Sequence, residues 1–161
     1  PDGQLPNEVK LAVLKQVPIF ASIKVGQEGA DKEHYSFRVF SDEPRKAENK
    51  ATQTELEIFQ KFLNDPKLEE LVSENDDNVV VYRPVRLSEA QGGLACHGDP
   101  KTSPWGNGKD ILGHEMENWK DGKLHGVFTI TSKKDEVNQA ATEASLNIVG
   151  WAGGISIFTV V

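Results

Sequence analysis

The chain has 161 residues, with 18 basic and 25 acidic side chains and a formal net charge of −7. This length suffices for one domain whose hydrophobic core needs no disulfide bonds. Such an acidic chain has no surplus of basic side chains to neutralise phosphates, which argues against nucleic acid as a partner. Cys96 is the single cysteine, which excludes an internal disulfide bond and a cysteine-rich zinc site.

The first forty residues are predicted to contain a helix and a strand. Apolar residues at helical spacing predict a helix over 7–16, which Pro18 interrupts. Segment 19–25 is apolar and suits either an extended or a helical chain, and polar residues with two glycines predict a loop over 26–32. Alternating β-formers predict a strand over 34–40.

The middle of the chain alternates helical and extended patterns. Phenylalanines and leucines at helical spacing predict a helix over 53–64. Pro66 suits the first turn of a second, short helix, whose apolar face includes Leu71. A run of valines predicts a strand over 79–85, and Pro84 places that strand at a sheet edge or near its own end.

The last third begins with an irregular, glycine-rich segment over 88–123. Irregular segments of this length inside a compact domain are usually functional or disordered. A strand is predicted over 124–131, and a helix from Asp135 towards Ser145.

Residues 146–161 carry no charge. Such a run falls just short of a full membrane crossing, and its glycines are tolerated in membrane helices. A buried terminal strand or helix is the alternative, but we favour a membrane anchor, truncated or single-pass. The chain is therefore divided into an N-terminal helix (1–18), a central domain (19–133), and a linker helix with an apolar C-terminal membrane helix (134–161).

The dipeptide Cys96-His97 matches the second half of a haem c attachment motif, Cys-x-x-Cys-His. In that motif a cysteine thiol adds to a haem vinyl group, and the histidine that follows binds the iron. The first cysteine position of the motif is Gly93 here, so at most one thioether forms. For the dipeptide alone, a chance pairing in a loop is the alternative interpretation.

Several longer motifs occur along the chain in a fixed order. They are EVKLAVLK (8–15), FRVF (37–40) followed by EPR (43–45), YRPVRLSE (82–89), CHGDP (96–100), SPWGNGKD (103–110), MENWKDG (116–122) and HGVF (125–128). These motifs, spread over about residues 5–131, resemble the haem c sensor domains of the Tll0287-like family. Such domains occur in bacterial chemoreceptors and sensor kinases, and as stand-alone cyanobacterial haem proteins.

The resemblance implies one haem c, with His97 as the iron ligand and a single thioether to Cys96. It also implies an α+β fold of the PAS-like type, with a long N-terminal helix, a small antiparallel sheet and flanking helices. Family members usually carry cysteine where Gly93 stands. The glycine has three possible explanations: natural attachment through a single cysteine, an engineered change or a sequence error. A cysteine at this position is expected to restore the second bond, because Leu94 and Ala95 supply the two-residue spacer.

The sixth iron ligand stays open. Met116 is the single methionine, and methionine commonly binds the iron of haem c opposite histidine. The alternative for Met116 is a side chain that is packed in the protein and does not bind iron. His125 falls in a predicted strand and is expected in the core or on a sheet face, and His114 is expected to be solvated in a loop. A vacant or water-filled position would suit a gas sensor.

Charged and aromatic residues near the Cys-His dipeptide are further candidates for contacts with haem. Tyr82, Arg83 and Arg86 precede the dipeptide, and the arginines either pair with the haem propionates or are solvated. Trp105 and Trp119 either cover a face of the macrocycle or belong to the core.

We therefore predict a periplasmic or otherwise extracytoplasmic haem c sensory domain that responds to iron redox state or to NO, CO or O2. Strand 124–131 would pass a change in the haem pocket to the helix that begins near Asp135, and so to the membrane. The alternative is a monohaem c-type cytochrome that acts as an electron-transfer subunit of a membrane-associated complex. The expected protein partners are a second copy of the chain, in a homodimer, or the proteins of a membrane complex. No Ser-His-Asp order, catalytic carboxylate pair or complete phosphate-binding loop stands out, so we do not expect an enzyme.

Overall fold

Two helices open the chain in the computed structural model. They are α1 (Asn7–Leu14) and α2 (Pro18–Glu33), and a short turn separates them. Pro18 both follows the end of α1 and starts α2, where a first-turn proline loses no helical hydrogen bond. Segment 19–25, for which the sequence left two possibilities, is helical. The structure describes residues 5–33, 35–139, 141–143 and 145.

The strands form one antiparallel sheet of four strands in the order β1-β4-β3-β2. The last strand in the sequence is therefore central, between the first and the third. This arrangement confirms the α+β fold with a small antiparallel sheet. The strands are β1 (Ser36–Phe40), β2 (Leu71–Glu74), β3 (Asn78–Arg86) and β4 (Leu124–Lys133), and helix α3 (Gln53–Asn64) lies between β1 and β2 in the sequence.

The prediction of a loop over 26–32 is wrong, because helix α2 continues through these residues. The glycines serve packing: a Cβ atom on Gly26 would lie 2.5 Å from Phe37 Cε2, and one on Gly29 would collide with the Tyr35 hydroxyl. That hydroxyl donates a hydrogen bond to the Gly26 carbonyl at 3.1 Å. Close packing of α2 against β1 thus outweighs the cost of roughly 1 kcal/mol that each glycine imposes on a helix.

The prediction of a short helix from Pro66 is also wrong, because Leu71–Glu74 forms strand β2. Leu71 lies opposite Tyr82 of β3, and the pairing of the two strands overrides the weak helical pattern. The pairing of β2 with β3 ends at Tyr82, so Pro84 lies in the part of β3 that has no partner residue in β2. The position of the proline near a strand end agrees with the prediction.

The hydrophobic core lies between α3 and the sheet. The helix predicted over 53–64 is confirmed, and it begins with a reciprocal capping box between Thr52 and Glu55. Each large core side chain contributes about 1.5–3 kcal/mol by burial. The fully buried cluster consists of Phe40, Phe59, Phe62, Leu124 and Val127.

The chain continues from β4 directly into helical residues at 134–139, 141–143 and 145, as predicted for a helix from Asp135. Within the described ranges, no helix is long and apolar enough to cross a membrane. The predicted apolar membrane helix at 146–161 lies outside the described residues. The division into three parts stays a prediction.

Candidate functional site

The irregular segment between β3 and β4 is a loop closed at its base. The Leu87 amide donates to the Lys123 carbonyl at 2.8 Å, and the Gly122 amide donates to the Leu87 carbonyl at 2.8 Å. These bonds hold the two ends of the segment together beside the sheet. The prediction of a long irregular segment over 88–123 is therefore confirmed, although it includes a 3₁₀ turn at Pro100–Thr102 and one α-helical turn.

That turn, α4 (Leu94–His97), carries both residues of the Cys-His dipeptide. Cys96 is half-buried, and burial, reinforced by the negative charge of Asp110, raises the pKa of its thiol. The Cys96 carbonyl accepts a hydrogen bond from Arg45 Nη2 at 2.8 Å. α4 is thus tied to the segment that follows β1.

A carboxylate orients the imidazole of His97. His97 Nδ1 lies 2.9 Å from Glu117 Oε2. Burial and the positive charge of Arg45 lower the pKa of His97, so the ring is neutral near pH 7. Because the carboxylate accepts the hydrogen bond, the proton sits on Nδ1. Nε2 then keeps a free lone pair, which is the state in which histidine binds a metal.

Two further rings lie against His97. Trp119 stacks on it with centroids 5.0 Å apart and an interplanar angle of 8°. The His125 ring is tilted by 54° with its centroid 4.7 Å away. Burial, together with His97 and Arg45, lowers the pKa of His125 to about 4. His125 Nδ1 is buried and lacks a hydrogen-bond partner among the described residues, a costly state unless a bound group satisfies it.

Arg45 connects the charged groups around His97. Its Nε donates to Glu117 Oε1 and its Nη1 to Asp110 Oδ2, both at 2.7 Å. The Asp110 side chain is 0 % exposed, and its other oxygen accepts two backbone amides. Burial acts to raise the pKa of Glu117, but the hydrogen bonds from Arg45 and His97 outweigh it and the net shift is downward. Glu117 is therefore ionised at neutral pH.

A cavity opens beside these groups, between α2, the sheet and the segment after β1. Its cavity volume is about 150 Å³. This is below the roughly 300–1,000 Å³ of most pockets for small molecules and cofactors, so a bound macrocycle would be only partly enclosed. Apolar side chains from α2 and the sheet form one part of the wall, and histidines and basic groups form another. The lining comprises Ile19, Ile23, Val39, Ser41, Pro44, Arg45, Lys46, Asn49, Val85, His97, His125 and Gly126.

Among the side chains predicted to bind a cofactor, His97 lines this cavity. The predicted arginines have protein partners elsewhere. On the surface, Arg83 Nη1 lies 3.6 Å from Glu70 Oε2. Arg86 Nη2 donates a hydrogen bond to the Phe62 carbonyl, near the end of α3, at 2.9 Å. Their pairing with propionates stays a prediction.

The other predicted residues, Cys96 and Trp119 among them, lie apart from the described cavity lining. Tyr82 packs against the hydrophobic core, and burial raises its pKa. Trp105 Nε1 donates to the Asp110 carbonyl at 3.0 Å. Met116 is buried, and its amide donates to the Gly108 carbonyl. Contacts of these side chains with a cofactor, including an iron bond from Met116, stay predictions.

Sequence reasoning missed the residues that fix His97. Arg45 and Glu117 are 72 residues apart, so no local spacing links them. Their presence in the family-like motifs EPR and MENWKDG is the signal that could have found them. The prediction placed His125 in the core or on a sheet face. It lies on β4, and its ring lines the cavity.

Fold and site together define the class: an α+β domain that presents a carboxylate-oriented histidine to a pocket. A family model described as Tll0287-like matches residues 3–132, and the chain belongs to this family. The resemblance inferred from the motifs is thereby confirmed. The crystal structure of the cyanobacterial heme-protein Tll0287 has a similar fold, with 18% sequence identity, coverage of 70% of this chain and 69% of that chain, and a TM-score of 0.56. No curated protein matches the chain.

Proposed function

We propose that this chain is a haem-binding domain, in which His97 is the axial iron ligand and Cys96 carries a single thioether. One observation carries the proposal. His97 lines the cavity, and its Nδ1 hydrogen bond to Glu117 leaves Nε2 as the free donor. A histidine that binds a metal usually donates its other ring N–H to a carboxylate, a backbone carbonyl or water, and Glu117 is such a carboxylate.

The residues around the cavity fit a haem. Ile19, Ile23 and Val39 offer apolar surface to a macrocycle, and Lys46 brings positive charge for its propionates. The fold resembles that of the cyanobacterial heme-protein Tll0287. The neutral imidazole at the cavity wall agrees with the same ligand.

Attachment through one cysteine is supported by the packing at position 93. A Cβ atom on Gly93 would lie 2.7 Å from Leu87 Cδ1 and 2.9 Å from the Ser88 backbone oxygen. The leucine side chain can move, but the backbone oxygen is fixed by a hydrogen bond from the Gly93 amide at 2.8 Å. The loop is therefore suited to glycine, which favours natural single-cysteine attachment.

We further propose a sensory role outside the cytoplasmic membrane. Bound haem would supply an iron that changes oxidation state and takes diatomic ligands such as NO, CO or O2. His125 lies near the start of β4, and β4 leads without a break into the helix that begins at residue 134. A movement of the cavity wall at His125 would thus reach that helix along one strand.

An absorption spectrum of the purified chain tests haem binding. We expect a Soret band, α and β bands on reduction, and pigment that stays with the protein in acid solvent. His97→Ala should change the spin state, because the thioether holds the porphyrin but not the iron. His114→Ala is the matched control, since that side chain is exposed. A chain without a Soret band would overturn the proposal.

Addition of CO or NO to the reduced protein tests the sensory role. We expect a shift of the Soret band, because a sensor of diatomic ligands needs an accessible iron position. An unchanged spectrum would instead support two strong axial ligands and electron transfer.

A further inference from the structure

We propose that Glu117 is a positioning residue for His97, and that Arg45, anchored on Asp110, holds Glu117 in place. The inference rests on the proposed function, because it concerns how strongly His97 donates to the haem iron. It deepens that function by naming the residues that set the donor strength of the imidazole.

Both carboxylate oxygens of Glu117 are occupied. Oε1 accepts a hydrogen bond from Arg45 Nε at 2.7 Å. Oε2 accepts from Arg45 Nη2 at 3.0 Å and from His97 Nδ1 at 2.9 Å. Two bonds from one guanidinium fix the plane of a carboxylate. Glu117 is thus unable to turn away from His97 without breaking its pairing with Arg45.

Arg45 is itself held on its other side. Its Nη1 donates to Asp110 Oδ2 at 2.7 Å. Its Nη2 also reaches the carbonyls of Cys96 and Glu115, at 2.8 Å and 3.0 Å. Asp110 is 0 % exposed, and its Oδ1 accepts two backbone amides of its own loop. The guanidinium therefore bridges the Cys-His turn and the loop that carries Glu117.

The charges of these groups act on His97 with opposite sign. A carboxylate on Nδ1–H increases the electron density at Nε2 and makes the imidazole a stronger donor to a metal. A stronger donor favours ferric over ferrous iron and so lowers the reduction potential. Arg45 weakens this effect, because it withdraws charge from the same carboxylate.

The test is a spectroelectrochemical titration of the haem-loaded chain and two variants. Glu117→Gln removes the negative charge at Nδ1, and we expect the potential to rise. A tenfold shift towards ferrous iron at fixed electrode potential corresponds to about 59 mV for a one-electron couple. Arg45→Lys keeps a positive charge beside Asp110 but loses the fork that fixes the plane of the Glu117 carboxylate. Glu117 can then turn away from His97, so we expect the potential to rise, by less than in Glu117→Gln.

Glu115→Gln is the matched control. It removes the same charge two positions away, from a side chain that is 80% exposed, and should leave the potential unchanged. The iron–histidine stretching band of the ferrous protein is a second readout. It should move to lower frequency in Glu117→Gln and stay in place in Glu115→Gln.

The outcomes separate this inference from the function on which it rests. A wild-type chain that binds no haem overturns both. A haem-loaded chain in which either variant lowers the potential, or leaves it unchanged, overturns the inference alone. If Glu117→Gln does not fold, Arg45→Lys decides, and a potential that falls or stays constant counts against us.

Discussion

The indole of Trp119 lies parallel to the imidazole of His97, with ring centroids 5.0 Å apart and planes 8° from coplanar. The Trp119 amide also donates to the His97 carbonyl at 2.8 Å. Lys123 Nζ lies 4.0 Å from the indole centroid. His97 is thus held by a flat aromatic surface on its face and by Glu117 at its edge, which limits both tilt and rotation of the ring.

Removal of the indole should loosen this arrangement. Trp119 is 8% exposed, so Trp119→Ala should lower the free energy of unfolding by about 3–5 kcal/mol, by loss of apolar contact and by the cavity left behind. Urea unfolding measures the loss. Trp119→Phe keeps a ring against His97, so its free energy of unfolding should fall much less. Equal stabilities of wild type and Trp119→Ala would show that the stacking is dispensable.

Position 93 offers a second test. An added Cβ atom would press on Leu87 and on the Ser88 backbone oxygen, so we expect Gly93→Ala to lower the free energy of unfolding by about 1–3 kcal/mol. Gln91→Ala, at an exposed site of the same loop, is the control. The motif spacing alone predicts that Gly93→Cys restores the second thioether. The packing changes this expectation: the cysteine should meet the same obstruction and form its second thioether in only part of the molecules. Full attachment with unchanged stability would contradict the packing argument.

Met116 allows the packing and ligand interpretations to be separated. Its side chain is 5% exposed and lies apart from the described cavity lining, so we expect Met116→Ala to cost about 2–5 kcal/mol of stability through a core cavity. The haem spectrum should be unchanged. Loss of a far-red ferric band, together with a fall in reduction potential, would instead support an iron–sulfur bond.

The regular elements were predictable where local and tertiary signals agree. The helix over 53–64 has both apolar periodicity and the Thr52–Glu55 capping box, and the strands at 79–85 and 124–131 are rich in β-formers. The predictions failed where tertiary contact wins. Gly26 favours a loop in isolation but makes room for Phe37 in the folded chain.

The site divides in the same way. Cys96 and His97 are neighbours in the sequence, so a motif identifies them. Arg45 and Glu117 meet only because the loop between β3 and β4 folds back on the segment after β1. That meeting depends on backbone bonds such as the one from Asn118 to the Gly98 carbonyl at 3.0 Å, which no residue pattern encodes.

The last prediction concerns pH and His125. Burial lowers the pKa of His125 to about 4, with His97 and Arg45 acting in the same direction, whereas an unfolded histidine has a pKa of about 6.5. Between these values the unfolded chain holds a proton that the folded chain lacks, so stability rises with pH across this range. In haem-free protein, protonation linked to His125 should therefore lower the free energy of unfolding by up to about 3 kcal/mol as the pH falls from about 6.5 to about 4.

Urea unfolding at a series of pH values measures this dependence. His125→Gln should flatten the profile in this range, although a smaller slope should remain because the pKa of His97 is also lowered, chiefly by burial. His114→Gln, which alters an exposed histidine, should leave the slope unchanged. Parallel profiles for wild type and His125→Gln would mean that His125 is free to take up a proton in the folded chain. The unpaired Nδ1 at the cavity wall would then be accessible to water rather than buried.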